Sequence, residues 1–259
     1  MNKNIKRILL LFPPANSPKH TIDVNPIPPM GLGYLASTLE KRGYEVSILD
    51  ALVRGWDTRK DVGENAVRIG MDPEQIKEEI RKYNPDLVGV SCQFSRNHSI
   101  YHEIFDLIRT VDREIITIAG GAHVTVMPED TLSNDNCNFI ITGEGEESLS
   151  NFVESYNNPH VDIKEADIQG LGWRNQDGSI THRKRVRYET ELDDIPFPAY
   201  HLMDLELYFG LDLSHGLRHK TRFTPIISSR GCPAKCTFCS AEKVWGKKFR
   251  ARSVENVIE

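Results

Sequence analysis

The sequence has no long apolar run. Its first apolar stretch, residues 8–12, ends at Pro13 and Pro14 and is too short for a membrane span or for the core of a signal peptide. The chain also has no excess of positive charge, since 32 lysines and arginines stand against 37 aspartates and glutamates, for a net charge of -5. We therefore expect no membrane span and no chain-wide basic surface that binds nucleic acid.

Cysteine is scarce and odd in number. Three of the five cysteines fall within eight residues, which is unlike the disulfide framework of a small secreted domain. A reducing cytoplasm is the expected compartment. Cys92 and Cys137 stand apart, and we interpret them as buried thiols or as incidental to function. With 39% hydrophobic and 27% charged residues, the chain has the composition of a folded globular protein.

Short apolar runs alternate with amphipathic segments over the first 157 residues. The runs predict five strands, at residues 7–12, 45–50, 86–91, 115–119 and 138–142. Leu32, Leu35, Ala36 and Leu39 recur at helical spacing between the first two, and Gly43 is placed to end that helix. This alternation predicts an α/β fold, with a doubly wound five-stranded parallel sheet of the Rossmann-like, flavodoxin-like type.

In such a sheet the loops that leave the carboxyl ends of the strands meet at one edge, where ligands bind. The loop at residues 13–29 is long and rich in proline, which predicts a stiffened lid. Paired glycines follow the fourth and fifth strands and allow the backbone to approach a bulky ligand, although glycines there also simply form turns. The candidate binding residues are Pro13, Pro14, Gly31, Leu32, Ser91, Gln93, Phe94, Gly120, Gly121, His123, Gly143, Glu144 and Gly145.

The pattern changes after residue 157. Residues 168–174 and 180–188, joined through Asp177 and Gly178, predict a β-hairpin, and an extended linker follows. Residues 223–228 predict a buried strand that leads to the three clustered cysteines, and Ser253 is placed to cap a final helix. The predicted domains are therefore residues 1–157, a hairpin and linker at 158–222, and the start of a second domain at 223–259.

Cys232, Cys236 and Cys239 can wrap one loop around a single metal centre. A cubane iron–sulfur cluster takes four ligands, so three cysteines leave one iron open. Structural zinc normally has four protein ligands, and no fourth cysteine or suitably spaced histidine adjoins the three. Zinc is therefore the weaker interpretation.

The strand, the Cys-x3-Cys-x2-Cys spacing and the aromatic Phe238 resemble the radical S-adenosylmethionine (SAM) superfamily. The resemblance implies that Cys232, Cys236 and Cys239 ligate a 4Fe-4S cluster, and that Phe238 lies beside the cluster and the adenine of SAM. It further implies reductive cleavage of SAM to a 5'-deoxyadenosyl radical, with electrons from an external one-electron reductant.

The chain is similar to the branch of this superfamily in which a cobalamin-binding domain precedes the radical domain. The segments that carry this similarity are residues 12–14, 29–36, 85–91, 120–123, 143–146, 192–198 and 245–253. None of the nine histidines has an aspartate two residues before it, so the Asp-x-His-x-x-Gly pattern of an axial cobalt ligand is missing. The resemblance thus implies base-off cobalamin without a protein histidine on cobalt, and His123 either lines the nucleotide tail or caps a turn.

A complete radical barrel needs on the order of 200 residues, by analogy with the roughly 250 of an eight-stranded barrel. Only about 35 residues follow Thr224, so we expect a truncated barrel that is not competent alone. The leading hypothesis is a radical SAM enzyme that methylates an unactivated carbon of a small-molecule or cofactor-like substrate. The alternatives are an oxidoreductase or cyclase that uses cobalamin without methylation, and a non-catalytic corrinoid-binding module.

Overall fold

The computed structural model describes residues 4–211, 222 and 224–258. Its strands are β1 (Arg7–Phe12), β2 (Ala15–Pro18), β3 (Glu45–Asp50), β4 (Arg59–Asp61), β5 (Ala66–Ile69), β6 (Leu87–Ser91), β7 (Ile116–Gly120), β8 (Phe139–Ile141), β9 (Leu171–Arg174), β10 (Ile180–His182), β11 (Ser229–Arg230) and β12 (Arg250–Ala251). Its α-helices are α1 (Met30–Lys41), α2 (Ala51–Arg54), α3 (Pro73–Tyr83), α4 (His98–Val111), α5 (Ala122–Val126), α6 (Pro128–Thr131), α7 (Glu146–Asn157), α8 (Leu205–Phe209), α9 (Ala241–Trp245) and α10 (Val254–Ile258). Short 3-10 helices cover Ser95–Asn97, Leu192–Asp194 and Tyr200–Leu202.

A seven-stranded sheet with the order β10-β9-β8-β7-β6-β1-β3 forms the centre of the described structure. The neighbours β3, β1, β6, β7 and β8 pair in parallel. These five strands lie within one residue of their predicted positions, and the predicted α/β fold with a parallel sheet is confirmed. Their order across the sheet is that of flavodoxin-like folds, in which a ligand site lies between the first and third of the parallel strands, here β1 and β6.

The predicted hairpin forms, but it joins the main sheet. β10 pairs antiparallel with β9, and β9 pairs antiparallel with β8. The sheet therefore has seven strands rather than the predicted five. The second strand of the hairpin ends at His182 rather than at residue 188. At the junction, a Cβ atom on Gly172 would come within 2.8 Å of the Ile140 side chain, so glycine permits this close pairing. The sheet thus continues past residue 157.

Alternate residues of β1 enter two cores on opposite faces of the sheet. Leu9 and Leu11 belong to the core covered by α3 and α4, whereas Ile8 and Leu10 belong to the core covered by α1 and α7. Burial on both faces explains why β1 reads as a continuous apolar run. Full burial of such a side chain contributes about 1.5–3 kcal/mol.

The ends of the helices follow from their sequences. At α3, the amide of Gln75 donates to Asp72 Oδ1 and the amide of Asp72 donates to Gln75 Oε1, both at 2.9 Å, in a capping box that precedes Pro73. Gly43 follows α1 with a φ of 86°, which confirms its predicted place after that helix. None of the helices among the described residues is long and apolar enough to span a membrane.

Asp50 ends β3 and caps α2. Its Oδ1 accepts from the amides of Leu52 and Val53, both at 3.0 Å, and its Oδ2 accepts from the hydroxyl of Tyr208. The residue is 6% exposed. Burial raises the pKa of Asp50 to about 6, although these hydrogen bonds act in the opposite direction.

The segment at residues 13–29 is more regular than the predicted lid. It contains β2, which pairs with β5 in a three-stranded sheet of order β2-β5-β4. Sequence reasoning missed β4 and β5 because both are short, and β4 consists of three exposed polar residues. Val67 and Ile69 of β5 are nevertheless buried against Ala15 and Leu52, which anchors the start of this segment.

The predicted buried strand at residues 223–228 is wrong. Residues 224–228 form no strand, and Ile226 is 39% exposed. Phe223, together with residues 212–221 of the predicted linker, lies outside the described residues. Among the described residues no strand pairs with this run, and strand pairing begins at β11, which is antiparallel to β12. Ser253 does cap α10, because its Oγ accepts from the amide of Asn256 at 3.1 Å.

Candidate functional site

A cavity of about 1030 Å³ opens at the carboxyl ends of β1, β6, β7 and β8. It lies at the point between β1 and β6 where this sheet type binds ligands. Apolar side chains and glycine backbone form most of its wall. Twelve of the predicted binding residues line it together: Pro13, Pro14, Gly31, Leu32, Ser91, Gln93, Phe94, Gly120, Gly121, Gly143, Glu144 and Gly145.

The two glycines after β7 have different physical roles. Gly121 has a φ of 115°, and a Cβ atom there would lie 2.5 Å from the carbonyl oxygen of Cys92. Gly120 has ordinary space, since its nearest neighbour would be the Ile141 oxygen at 3.6 Å. Gly121 is therefore required for the backbone to turn along the cavity wall, whereas Gly120 only keeps the wall free of a side chain.

Residues from the C-terminal part of the chain also line the cavity. They are Pro225, Ile227, Val244 and Trp245. Sequence reasoning did not include them among the binding residues, because nothing in their spacing relates them to the sheet edge. The hydroxyl of Tyr200 donates to the carbonyl oxygen of Pro225 at 2.8 Å and helps to hold this segment in place.

His123, a predicted binding residue, does not line the cavity. It is 3% exposed, with Nδ1 at 3.0 Å from Ser95 Oγ and Nε2 at 3.0 Å from Asp130 Oδ2. Burial lowers the pKa of His123, while Asp130 acts in the opposite direction. A carboxylate only accepts hydrogen bonds, so Nε2 donates to Asp130 and the neutral ring accepts from Ser95 through Nδ1. Both ring nitrogens of His123 are thus engaged behind the cavity wall.

Glu144 forms a buried ion pair with Arg250. Nη2 of Arg250 lies 2.7 Å from Oε1 of Glu144, and Nη1 lies 3.1 Å from Oε2, in a bidentate geometry. The side chains of Arg250 and Glu144 are only 3% and 4% exposed. The carboxylate of Glu144, predicted as a cofactor contact, therefore binds the protein itself while the residue lines the cavity.

Arg230 forms further ion pairs beside the Glu144–Arg250 pair. Its Nη2 lies 2.5 Å from Glu146 Oε1, and its Nη1 lies 3.6 Å from Glu144 Oε1. Its guanidinium also stacks on the rings of Tyr34 and Trp245, at 5.3 and 5.0 Å. We call Glu144, Glu146, Arg230 and Arg250 the arginine clamp. The clamp joins the sheet edge to the segment that carries the cysteines.

The three cysteines lie in a loop closed by β11 and β12. Gly231 has a φ of 90°, and any Cβ atom there would collide with the carbonyl oxygen of Lys248. The amide of Cys232 donates to the Gly246 oxygen at 3.1 Å. Cys232 is half-buried, Cys236 and Cys239 are exposed, and Phe238 is 91% exposed. The loop therefore presents its thiols to solvent beside the clamp.

The thiols are not gathered as the ligands of a single ion would be. Within the described chain, the group of three ligand atoms that lie within 4.8 Å of one another is His98, His102 and Asp130, and it contains none of the cysteines. A cluster with several irons spreads its thiolates over separate atoms, whereas one zinc ion draws them together. Cys92 and Cys137 are buried, as predicted, and burial raises the pKa of both thiols.

A large cavity at the edge of a parallel sheet, tied to a three-cysteine loop, defines a cofactor-binding α/β protein. Residues 24–153, half of the chain, match the family model of the B12 binding domain. The chain belongs to the B12 binding domain family.

Two curated relatives match almost the whole chain. The chain is 32% identical to the cytidylyl-2-hydroxyethylphosphonate methyltransferase of Streptomyces wedmorensis, over 99% of the chain and 52% of that protein. It is 26% identical to the anaerobic magnesium-protoporphyrin IX monomethyl ester cyclase of Rubrivivax gelatinosus, over 98% of the chain and 41% of that protein. The chain thus spans about half the length of these relatives or less.

A solved structure shares the fold. The radical S-adenosylmethionine methyltransferase TsrM of Kitasatospora setae, with cobalamin and a [4Fe-4S] cluster bound, superposes with a TM-score of 0.67. The match covers 98% of this chain and 46% of TsrM at 20% sequence identity. At that identity the likeness concerns the fold.

Proposed function

We propose that this chain is the cobalamin- and cluster-binding part of a cobalamin-dependent radical SAM methyltransferase that acts on a small molecule. The observation that supports the proposal is the arginine clamp, which joins the segment that carries the cysteines to the edge of a B12 binding domain, where Val244 and Trp245 of that segment line the cavity. A corrinoid and a cluster held in this way lie within one site. Relatives extend to about twice this length, and we propose that turnover needs the parts of such a protein that lie outside these 259 residues.

The cavity fits a corrinoid. Its volume of about 1030 Å³ is slightly above the roughly 300–1,000 Å³ of pockets that hold drug-sized ligands, which suits a ligand larger than those. Cobalamin, when bound, supplies a cobalt centre that carries the methyl group. Gly120, Gly121 and Gly143 bring backbone to the ligand, and the residues around Pro28 and Trp245 exclude water. The described residues that line the cavity include no histidine, and we propose that cobalamin binds there base-off, without a protein histidine on cobalt.

The cysteine loop fits a 4Fe-4S cluster with one open iron. Cys232, Cys236 and Cys239 are free thiols on one loop, and a reducing cytoplasm would keep them available. We propose that SAM binds the open iron. Phe238, which is exposed in the structure, would then cover the cluster and the adenine. The cluster would receive its electron from an external reductant.

The first test concerns binding. The chain is purified anaerobically, reconstituted with iron and sulfide, and mixed with hydroxocobalamin. We expect the broad visible absorbance of an iron–sulfur cluster and a retained corrinoid. The triple variant Cys232→Ala, Cys236→Ala, Cys239→Ala should lose the cluster and keep the corrinoid, whereas the control Cys137→Ala should keep both. A triple variant that still assembles the cluster would contradict the assignment, and failure of the native chain to retain corrinoid would exclude the cobalamin site.

The second test concerns the reaction outcome. The cyclase relative makes a cobalamin-using cyclisation the alternative to methyl transfer. Cells that express the complete reading frame are grown anaerobically on methionine labelled at its methyl group. A small-molecule product that carries the label, absent with the triple cysteine variant, supports methylation. A product that depends on the cysteines but carries no label favours the cyclase alternative, and no product at all favours a non-catalytic corrinoid module.

A further inference from the structure

A second group of metal-ligating side chains lies outside the cavity. His98 and His102 are one helical turn apart on α4, so both rings project from the same face of that helix. Asp130 of α6 faces them. None of the three residues lines the cavity. Neither the family assignment nor the proposed reaction requires them.

The distances between these groups suit a shared ion. Nδ1 of His98 lies 3.6 Å from Asp130 Oδ1, and Nε2 of His102 lies 3.5 Å from Asp130 Oδ2. The three ligand atoms lie within 4.8 Å of one another. Tetrahedral zinc at about 2.0–2.1 Å from each ligand places neighbouring ligand atoms about 3.3 Å apart. A small movement of the exposed His98 and the half-buried His102 and Asp130 side chains would therefore complete the coordination.

The two contacts are too long to be the hydrogen bonds that would otherwise hold the group together. Hydrogen bonds between nitrogen and oxygen in proteins lie at about 2.7–3.2 Å. Asp130 thus has two imidazoles directed at it, at distances that leave room for an ion between them. A closed surface network of hydrogen-bonded histidines would show shorter contacts.

A hydrogen bond from the buried His123 holds Asp130 in position. The buried ring of His123 donates through Nε2 to Asp130 Oδ2 at 3.0 Å, and His123 is fixed in turn by Ser95 at 3.0 Å. Carboxylates that bind metals are commonly oriented by such outer hydrogen bonds. The group therefore has both a ligand set and a buried support, and His123 has a structural role that its sequence context did not reveal.

We propose that His98, His102 and Asp130 bind a divalent transition-metal ion of the zinc type. Two imidazoles and one carboxylate suit zinc and its neighbours, whereas magnesium and calcium prefer oxygen ligands alone. Three protein ligands leave a coordination position for water. The ion would fasten the start of α4 to α6, next to the cavity wall formed by residues 93–97.

The test measures zinc affinity in a chain that lacks the competing thiols. The chain carries Cys232→Ser, Cys236→Ser and Cys239→Ser, is purified without a histidine tag, and is titrated with Zn²⁺ against a chromophoric chelator. We expect about one equivalent of tightly bound Zn²⁺ per chain. The added pair His98→Gln and His102→Gln should weaken binding by about 100-fold or more. Circular dichroism checks that the variant remains folded.

His201→Gln is the matched control, because His201 also faces a carboxylate, with its Nε2 3.0 Å from Glu40 Oε1, and the described residues offer this pair no third ligand. It should leave zinc affinity unchanged. X-ray absorption at the zinc edge should show nitrogen and oxygen neighbours and no sulfur. The proposal is overturned if the chain retains no zinc, or if the His98→Gln, His102→Gln variant binds zinc as tightly as its parent. The cysteine and corrinoid tests above are independent of either result.

Discussion

From the arginine clamp, we expect the variant Glu144→Gln to be strongly destabilised. The change leaves the shape of the side chain almost intact but removes the charge that faces Arg250, and both side chains are at most 4% exposed. Removal of one partner from a buried ion pair costs about 3–5 kcal/mol, because the other charge stays buried without compensation. That is a large part of the roughly 5–15 kcal/mol that stabilises a domain.

The loss of stability should appear first in residues 229–252, the segment that the clamp joins to the sheet edge. Hydrogen exchange followed by mass spectrometry reports the opening of residues 229–252, where the amides of Cys232 and Arg252 donate to Gly246 and Ser228. Since about 1.4 kcal/mol corresponds to a factor of ten, a loss of 3 kcal/mol speeds exchange there by about 100-fold. Urea unfolding of the same variant measures the effect on the rest of the domain.

Two variants make the clamp prediction falsifiable. Glu147→Gln changes the same residue type three positions along, at an exposed site, and should alter stability by no more than about 0.5 kcal/mol. The double variant Glu144→Gln, Arg250→Met removes both charges. Its loss of unfolding free energy should be smaller than the summed losses of the two single variants, by about 1 kcal/mol or more. If hydrogen exchange in Glu144→Gln matches that in Glu147→Gln, the clamp does not stabilise residues 229–252.

Two further predictions concern stability. The raised pKa of Asp50, about 6 against 3.8 in the unfolded chain, means that the folded state holds its proton more tightly, so stability falls as pH rises from about 4 to about 6. Urea unfolding should show that the stability of Asp50→Asn relative to the native chain increases by about 2 kcal/mol across that range, and a constant difference would contradict this. Gly121→Ala should cost about 2 kcal/mol or more because of its φ of 115° and its contact with the Cys92 oxygen. Gly120→Ala is the control, and an equal loss in both variants would show that the backbone conformation is not the cause.

The local patterns of the sequence predict much of the fold. The predicted strand β1 is apolar and buried on both faces, and Leu32, Ala36 and Leu39 of the predicted helix are buried in the core beside the sheet. Both predictions depend on periodicity, which a short window of sequence contains in full. The edge loops also follow from it, since parallel strands must place their carboxyl ends together.

Three features could not be predicted in this way. The hairpin strand β9 adds to β8, the predicted strand at residues 223–228 finds no partner, and β4 and β5 are too short and polar to stand out. Strand pairing depends on which edge is free in the folded sheet. Hydrophobic pattern alone does not contain that information.

The sequence by itself therefore determined the five parallel strands and the first long helix within residues 1–157, the loops at the binding edge of the sheet and the spacing of Cys232, Cys236 and Cys239. Only the tertiary structure decided the partners of the charged groups. Glu144 and Arg250 are 106 residues apart in the chain, and His123 turns away from the cavity toward Asp130. Spacing along a chain records which residues share a face of one element. Pairs joined across elements are set by packing, because a charge that packing buries must be paired with whatever opposite charge is buried beside it.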